Sequence, residues 1–379
     1  MRFWVFFLSF VFLFHISVIE KQAAEQSSIE RSSAWEIAAS LSDEILAAQV
    51  LLTGIDGRAS LTPAMRSLLQ RVPAGGVMLF GFNLNTSKAD VKNLLSETCA
   101  LIKANAGLRP FIAVDHEGGR VHRFGPGVER PPSAFSFWEL VQREGHDAAL
   151  TLAETIYSRS ALEIRALGVN MVLAPVAEIL DDDNVVFLGA RSYGPDPDFT
   201  EAAASVFVKS METAGIASVV KHFPGHTAID PHYGISSLMH DRAALGEKVQ
   251  PFAGIIRRLR PPSIMISHVM VPAMDSQNVA SLSRIVIEDW LRGELGFQGI
   301  VMADDFAMGA VTALGISTTA ATVQALNAGV DMIMVWPRDL AATHAVILRA
   351  LRDGQLSRER LVEAAARIIA EKQRFGLLD

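Results

Sequence analysis

A chain of 379 residues, half of them apolar and a fifth charged, can bury a large core and has globular rather than disordered composition. Its formal charge of -7, from 34 Lys and Arg against 41 Asp and Glu, offers no extended basic field and excludes nucleic acid as a partner. The single cysteine, Cys99, excludes an intramolecular disulfide and reads as a small apolar residue in a helical stretch.

Met1 and Arg2 precede an uncharged apolar run, "FWVFFLSFVFLFHISVI", followed by the polar "EKQAAEQSSIERSS". This is the layout of a secretory signal over residues 1–24, and it predicts an exported protein, periplasmic or extracellular. Neither Ala23 nor Ala24 gives small residues at both positions that cleavage requires, so an uncleaved N-terminal membrane tether is the alternative. Residues 25–44 form a lead-in, and 45–379 read as one domain.

From residue 45 a short apolar run and a helical stretch alternate. The predicted strands are 48–56, 75–83, 110–117, 169–176, 216–223, 263–271, 299–306 and 329–336. Each is nearly continuous in apolar residues, as for parallel strands covered on both faces. Helical segments include 88–105, 145–167, 199–214, 241–258, 285–295 and 317–328, with a closing amphipathic helix over 357–374. Eight such units predict an α/β fold, a single (β/α)8 TIM-type barrel. A doubly wound dinucleotide fold shares this grammar, but no strand is followed by G-x-G-x-x-G.

A barrel of this kind keeps its active site at the C-terminal strand ends. The polar residues there are Asp56, Asn83, Asp115 with Glu117, Glu178, Lys221 with His222, His268, and Asp304 with Asp305. Asp304 ends a fully apolar run and suits a nucleophile or an electrostatic stabiliser. Strand alternation turns Asp305 the other way, toward structural support or a cap. In "KHFPGHTAIDPHYG", Lys221 and His222 close the fifth strand, and Asp230 stands two residues before His232. A carboxylate so placed can orient an imidazole for general acid/base work; two polar loop residues are the plain alternative. Zinc held by His222, His226 and His232 is the rival reading. The first strand contains no His, and His116 and His122 lie six apart across a Gly pair, so neither metal nor cofactor is predicted.

"VDHEGGRVHRF", "APVAEI", "GARSYG", "KHFPGH" with its D-x-H, "SHVMVPAMD", "GIVMADDFAMGAV" and "NAGVDMIMV" together resemble the family 3 glycoside hydrolases, in the branch of single-domain β-N-acetylglucosaminidases. The resemblance runs from about residue 45 to about 340. It implies a retaining mechanism in which Asp304 is the nucleophile and His232, held by Asp230, is the acid/base on a mobile loop. It further implies that Asp115, Arg123, Arg191, Lys221 and His222 bind the sugar, with Met308 as an apolar wall and His268 lining the mouth. The expected partner is a small carbohydrate or muropeptide substrate, taken by a monomer without a cofactor.

Five departures stand out. Thr227 replaces a Gly, the path from His226 to Asp230 is about two residues short, and Pro231 replaces a Ser, stiffening the dyad by fixing its φ. Ala190 stands where an acidic residue often precedes the Arg, and Glu178 where Asp is common. The alternative functions are a family 3 β-glucosidase or broad exo-glycosidase, sugar transfer to phosphate, and a glycan-binding protein that lost catalysis.

Overall fold

A computed structural model describes residues 32–125 and 127–378. The signal or anchor segment expected at 1–24 lies outside the described residues. The apolar runs form eight short strands: β1 (Leu51–Gly54), β2 (Gly76–Leu79), β3 (Phe111–Val114), β4 (Met171–Val172), β5 (Ala217–Phe223), β6 (Ser263–Ile266), β7 (Ile300–Ala303) and β8 (Met332–Val335). They close into one barrel in which every strand pairs with its neighbour in the chain and β8 returns to β1. All pairings are parallel, as where β6 meets β7 from Ser263 against Ile300 to Ile266 against Ala303. Apart from partly buried Met334, the strand residues are buried, which is why their sequences do not alternate.

Most helices start where the sequence signals them. The Ser87 hydroxyl accepts the Asp90 N–H, the Asp196 carboxylate that of Phe199, and the Ser357 hydroxyl that of Arg360. Two elements differ from expectation. The stretch expected as one helix at 241–258 is two, Arg242–Lys248 and Gln250–Leu259, because Pro251 has no N–H to continue the first and sits well at the start of the second. Ile285–Glu294 is wound as a π-helix instead of an α-helix. Helices Pro63–Arg71, Ala134–Glu144 and Pro337–Arg352 add to those expected. Among the described residues no helix is long and apolar enough to cross a membrane.

The closing helix, Arg358–Arg374, is bound to the barrel by buried charge. Asp331, fully buried before β8, accepts from Arg360 at 3.0 Å, Arg367 at 3.1 Å and Arg292 at 2.6 Å. Burial opposes its ionisation, but the three guanidinium groups outweigh that and hold it below the usual carboxylate range. Lys372 donates to Gln49 Oε1 at 2.7 Å from the same helix.

Candidate active site

The strand ends open into a cavity of about 650 Å3. Its walls divide by strand. Met78 of β2, Leu173 after β4, Met265 of β6 and Met334 of β8 supply apolar side chains, while Asp115 after β3, Lys221 of β5 and Asp304 after β7 supply charge. Alternate strands of a (β/α)8 barrel contribute side chains to alternate layers, which separates the two sets. Asp230, His232, Arg123, Arg191, His222 and Met308 line the same cavity, so all nine expected site residues share it. Asp56, Asn83, Glu178 and His268 do not line it. The buried Asn83 side chain instead binds the Phe80 N–H and the carbonyls of Ile55 and Gly57.

Lys221 and His222 are consecutive, and regular alternation would send them to opposite faces. Both reach the cavity because the β5–β6 register shifts between Val220 and Phe223, a local irregularity of the kind that re-aims side chains at functional sites. The Lys221–His222 peptide is cis.

One half of the site is a chain of ion pairs. Lys221 Nζ donates to Asp115 Oδ1 at 3.0 Å and meets Glu117 Oε1 at 2.7 Å. Arg191 grips Glu117 through two bonds of 2.8 Å, and Arg123 reaches Asp115 Oδ2 at 3.3 Å. Burial disfavours charge on both Glu117 and Lys221, yet their mutual field, with Arg191 on Glu117 and Asp115 on Lys221, prevails: the carboxyl lies far below its ordinary range and the amine above. Arg191, expected as a direct sugar ligand, has its Nε and Nη2 committed to Glu117. Glu117 itself carried no assigned role from the sequence, although its position two residues after Asp115 is the signal for the same face. It stands in a hairpin, His116–Gly118 against Val121–His122, turned at Gly119 and Arg120. Gly118 has φ 97°, and a Cβ there would come within 2.3 Å of the Pro132 carbonyl oxygen.

The other half surrounds Glu178. Its Oε1 accepts from His222 Nδ1 at 2.7 Å and His226 Nδ1 at 3.0 Å, and from the His222 backbone N–H at 3.3 Å. With Nδ1 donating, neutral His222 keeps Nε2 as an acceptor. Burial and His226 lower the His222 imidazole to about 4 against the pull of Glu178. The donor atoms of Glu178, His222 and His226 lie within 4.8 Å of one another, a set a divalent cation could use, but here they are joined directly by hydrogen bonds. The three histidines of the zinc reading do not converge: His232 lies apart, its side chain 58% exposed and its Nδ1 2.7 Å from Asp230 Oδ1. The same Asp230 oxygen accepts the His232 N–H at 2.9 Å, so a single carboxylate holds both ring and backbone. Burial would raise the Asp230 carboxyl, but its bonds to His232 outweigh this and lower it.

Asp304 is 9% exposed. Burial opposes its ionisation; His222, His268 and the Asp305 N–H, which donates to Oδ1 at 2.8 Å, prevail and keep it below the usual carboxylate range. Asp305 departs from expectation because β7 ends at Ala303 and alternation no longer holds. It does cap the next turn through the Ala307 N–H at 2.8 Å, but it also lines the cavity, where Trp336 Nε1 donates to Oδ2 at 2.7 Å. His268, expected in the mouth, is buried, with Nδ1 2.7 Å from Ser281 Oγ and Nε2 3.1 Å from the Asp305 carbonyl.

A buried, ionised carboxylate that shares one cavity with a His–Asp dyad and hydrogen-bonding walls has the groups that cleavage of an acetal linkage needs. Residues 43–370 match the Glycosyl hydrolase family 3 N terminal domain. Among curated relatives, Beta-hexosaminidase A of Pseudoalteromonas piscicida is 30% identical over 84% of this chain and 57% of its own length. Beta-hexosaminidase of Stenotrophomonas maltophilia (strain R551-3) is 34% identical over 81% of this chain and 90% of its own. The chain thus spans little more than half of the first relative and most of the second. The solved family 3 β-N-acetylglucosaminidase of Paenibacillus sp. str. FPU-7 superposes with a TM-score of 0.82 at 31% identity, covering 89% of this chain and 63% of that one. Barrel and similarity agree: the chain belongs to glycosyl hydrolase family 3.

Proposed function

We propose that the protein is a retaining exo-β-N-acetylglucosaminidase that releases terminal N-acetylglucosamine from peptidoglycan fragments or related glycans. The observation that carries this reading is the pairing, in one cavity, of the buried low-pKa Asp304 with the Asp230–His232 dyad. In the first step an Asp304 oxygen bonds to the anomeric carbon, the glycosidic C–O bond breaks, and His232 gives its proton to the departing oxygen. In the second step His232 takes a proton from water, whose oxygen displaces Asp304 and frees the sugar. A nucleophile held below the usual carboxylate range stays ionised near neutral pH. His in place of a second acid departs from the usual two-carboxylate arrangement.

Asp115, shared between Lys221 and Arg123, keeps lone pairs for sugar hydroxyls, and Arg123 and Lys221 keep donors. Glu117 holds Arg191 and Lys221 in place. The relatives named beta-hexosaminidase support a hexoside substrate, and the solved family 3 β-N-acetylglucosaminidase supports its N-acetylation. The apolar run at residues 3–19 supports export, with the cell-wall substrate resting on that compartment.

An aryl N-acetyl-β-glucosaminide beside the matching glucoside, assayed with and without phosphate, tests the reading. Turnover of the first alone, unaffected by phosphate, is expected, with loss of at least about 10^3-fold in Asp304→Ala. Wild-type turnover by that variant would sink the assignment.

A further inference from the structure

The His232 side of the site opens into a second hollow of about 300 Å3, lined by His232, Asp305, Ala307, Met308, Trp336 and Arg338. His232, Asp305, Met308 and Trp336 also line the main cavity, so the two are continuous, whereas Asp304 lines only the main one. A general acid must lie within hydrogen-bond reach of the oxygen it protonates, and that oxygen joins the cleaved sugar to its leaving group. The sugar whose anomeric carbon meets Asp304 fills the main cavity. The leaving group must then lie across His232, on the side where Trp336 stands.

Trp336 is built as a fixed surface. Its indole N–H is pinned on Asp305 at 2.7 Å. Phe80 stacks on it with centroids 5.1 Å apart and planes 12° from parallel, and Phe82 continues the row at 6.0 Å and 8°. Phe80 is anchored in turn: its N–H donates to buried Asn83 at 2.9 Å, and its ring and Pro337 sit where a side chain at Gly54 would be, 3.2 and 3.4 Å from the Cβ position. A ring serving only to pack would be covered, yet Trp336 stays half-buried and lines both hollows. A pyranose presents a face of C–H groups that sheds water onto a flat, electron-rich ring while its hydroxyls stay solvated at the edge.

We propose that Trp336, buttressed by Phe80 and Phe82, is the stacking platform of a leaving-group subsite for a hexopyranose. The proposal rests on the glycosidase reading above. It predicts that the enzyme gains rate from a sugar leaving group through the indole face.

The test compares kcat/KM for N,N′-diacetylchitobiose, which fills both hollows, with that for N-acetyl-β-glucosaminyl fluoride, which fills only the main one. In Trp336→Ala the disaccharide-to-fluoride ratio is expected to fall by at least about tenfold, and in Trp336→Phe, which keeps a ring but loses the bond to Asp305, to recover most of it. An unchanged ratio in the Ala variant overturns the platform, as does a Phe variant no better than Ala. If the unaltered protein hydrolyses the fluoride but not the disaccharide, the subsite falls and the glycosidase reading stands. If it hydrolyses neither, both fall.

Discussion

Glu117 shows how a side chain that need not touch substrate can govern those that do. Its carboxylate is 6% exposed and binds Lys221 and Arg191, themselves 4% and 13% exposed. Buried ion pairs return little net stability while intact, but removing one partner strands the other charges without water. Glu117→Gln is therefore expected to cost about 3–5 kcal/mol, read as a lower urea midpoint at unchanged slope. Its KM should also rise, because Lys221 and Arg191 lose the carboxylate that fixes them. A variant of wild-type stability would show that the pair is not held as described. The sequence made the acidic strand end visible at Asp115 and Glu117; it did not show that, in the cavity both line, Glu117 is the more deeply buried and grips Arg191 as well as Lys221 while Asp115 stays more open, since both are carboxylates on one face.

At the level of elements, the loop carrying Asp230 and His232 is docked rather than free. The Gly309 N–H donates to the His232 carbonyl at 3.1 Å and the Ala310 N–H to that of Pro231 at 2.9 Å, tying the loop after β5 to the turn after β7 that carries Asp304. The shortened segment before Asp230 is closed by the Thr227 hydroxyl, which accepts the Ile229 N–H at 3.2 Å, so Thr in place of Gly has a local use. A Cβ on Gly309 would come within 2.6 Å of the His232 carbonyl oxygen, backbone that cannot yield as a flexible side chain would. Gly309→Ala is thus expected to displace His232 and weaken protonation of the leaving group. Turnover of an alkyl N-acetyl-β-glucosaminide should drop by about 10–100-fold, and that of a dinitrophenyl glycoside, whose leaving group needs no proton, far less. Equal losses on both would place the effect elsewhere. Gly309 was silent in the sequence because its partner backbone arrives from the strand β5 loop.

For the whole molecule, acid should loosen the fold before it reaches the ordinary carboxylate range. Burial and neighbouring His122 lower His116 to about 3, and His222 lies at about 4, both below the unperturbed value of 6.5. The unfolded chain therefore binds protons between those values that the folded chain refuses, and stability falls as pH drops from about 6.5 toward 4. Glu117 and Glu178 are depressed, so their contribution is complete above about pH 4.3 and lost below it, in the same direction. Urea midpoints should fall from pH 7 to pH 5, and His116→Gln should flatten part of that slope. A midpoint independent of pH across this window would show that these imidazoles are not buried neutral.

What the sequence determined by itself is local and periodic: eight apolar runs without alternation, helices between them, caps such as Ser357, and the charged strand ends that emerge at one mouth. Those features follow from hydrogen bonding and burial within a few residues, so they can be read along the chain. The tertiary structure decided which ends meet. Lys221 pairs with Asp115 across 106 positions and His222 with Glu178 across 44, contacts that exist only once the barrel closes. A register shift brings two consecutive residues of β5 into one cavity, and Phe80 after β2 meets Trp336 after β8 across β1 once the first and last strands pair. Closure converts local pattern into a site, because the distance between two strand ends is set by the circumference of the barrel and not by the chain between them.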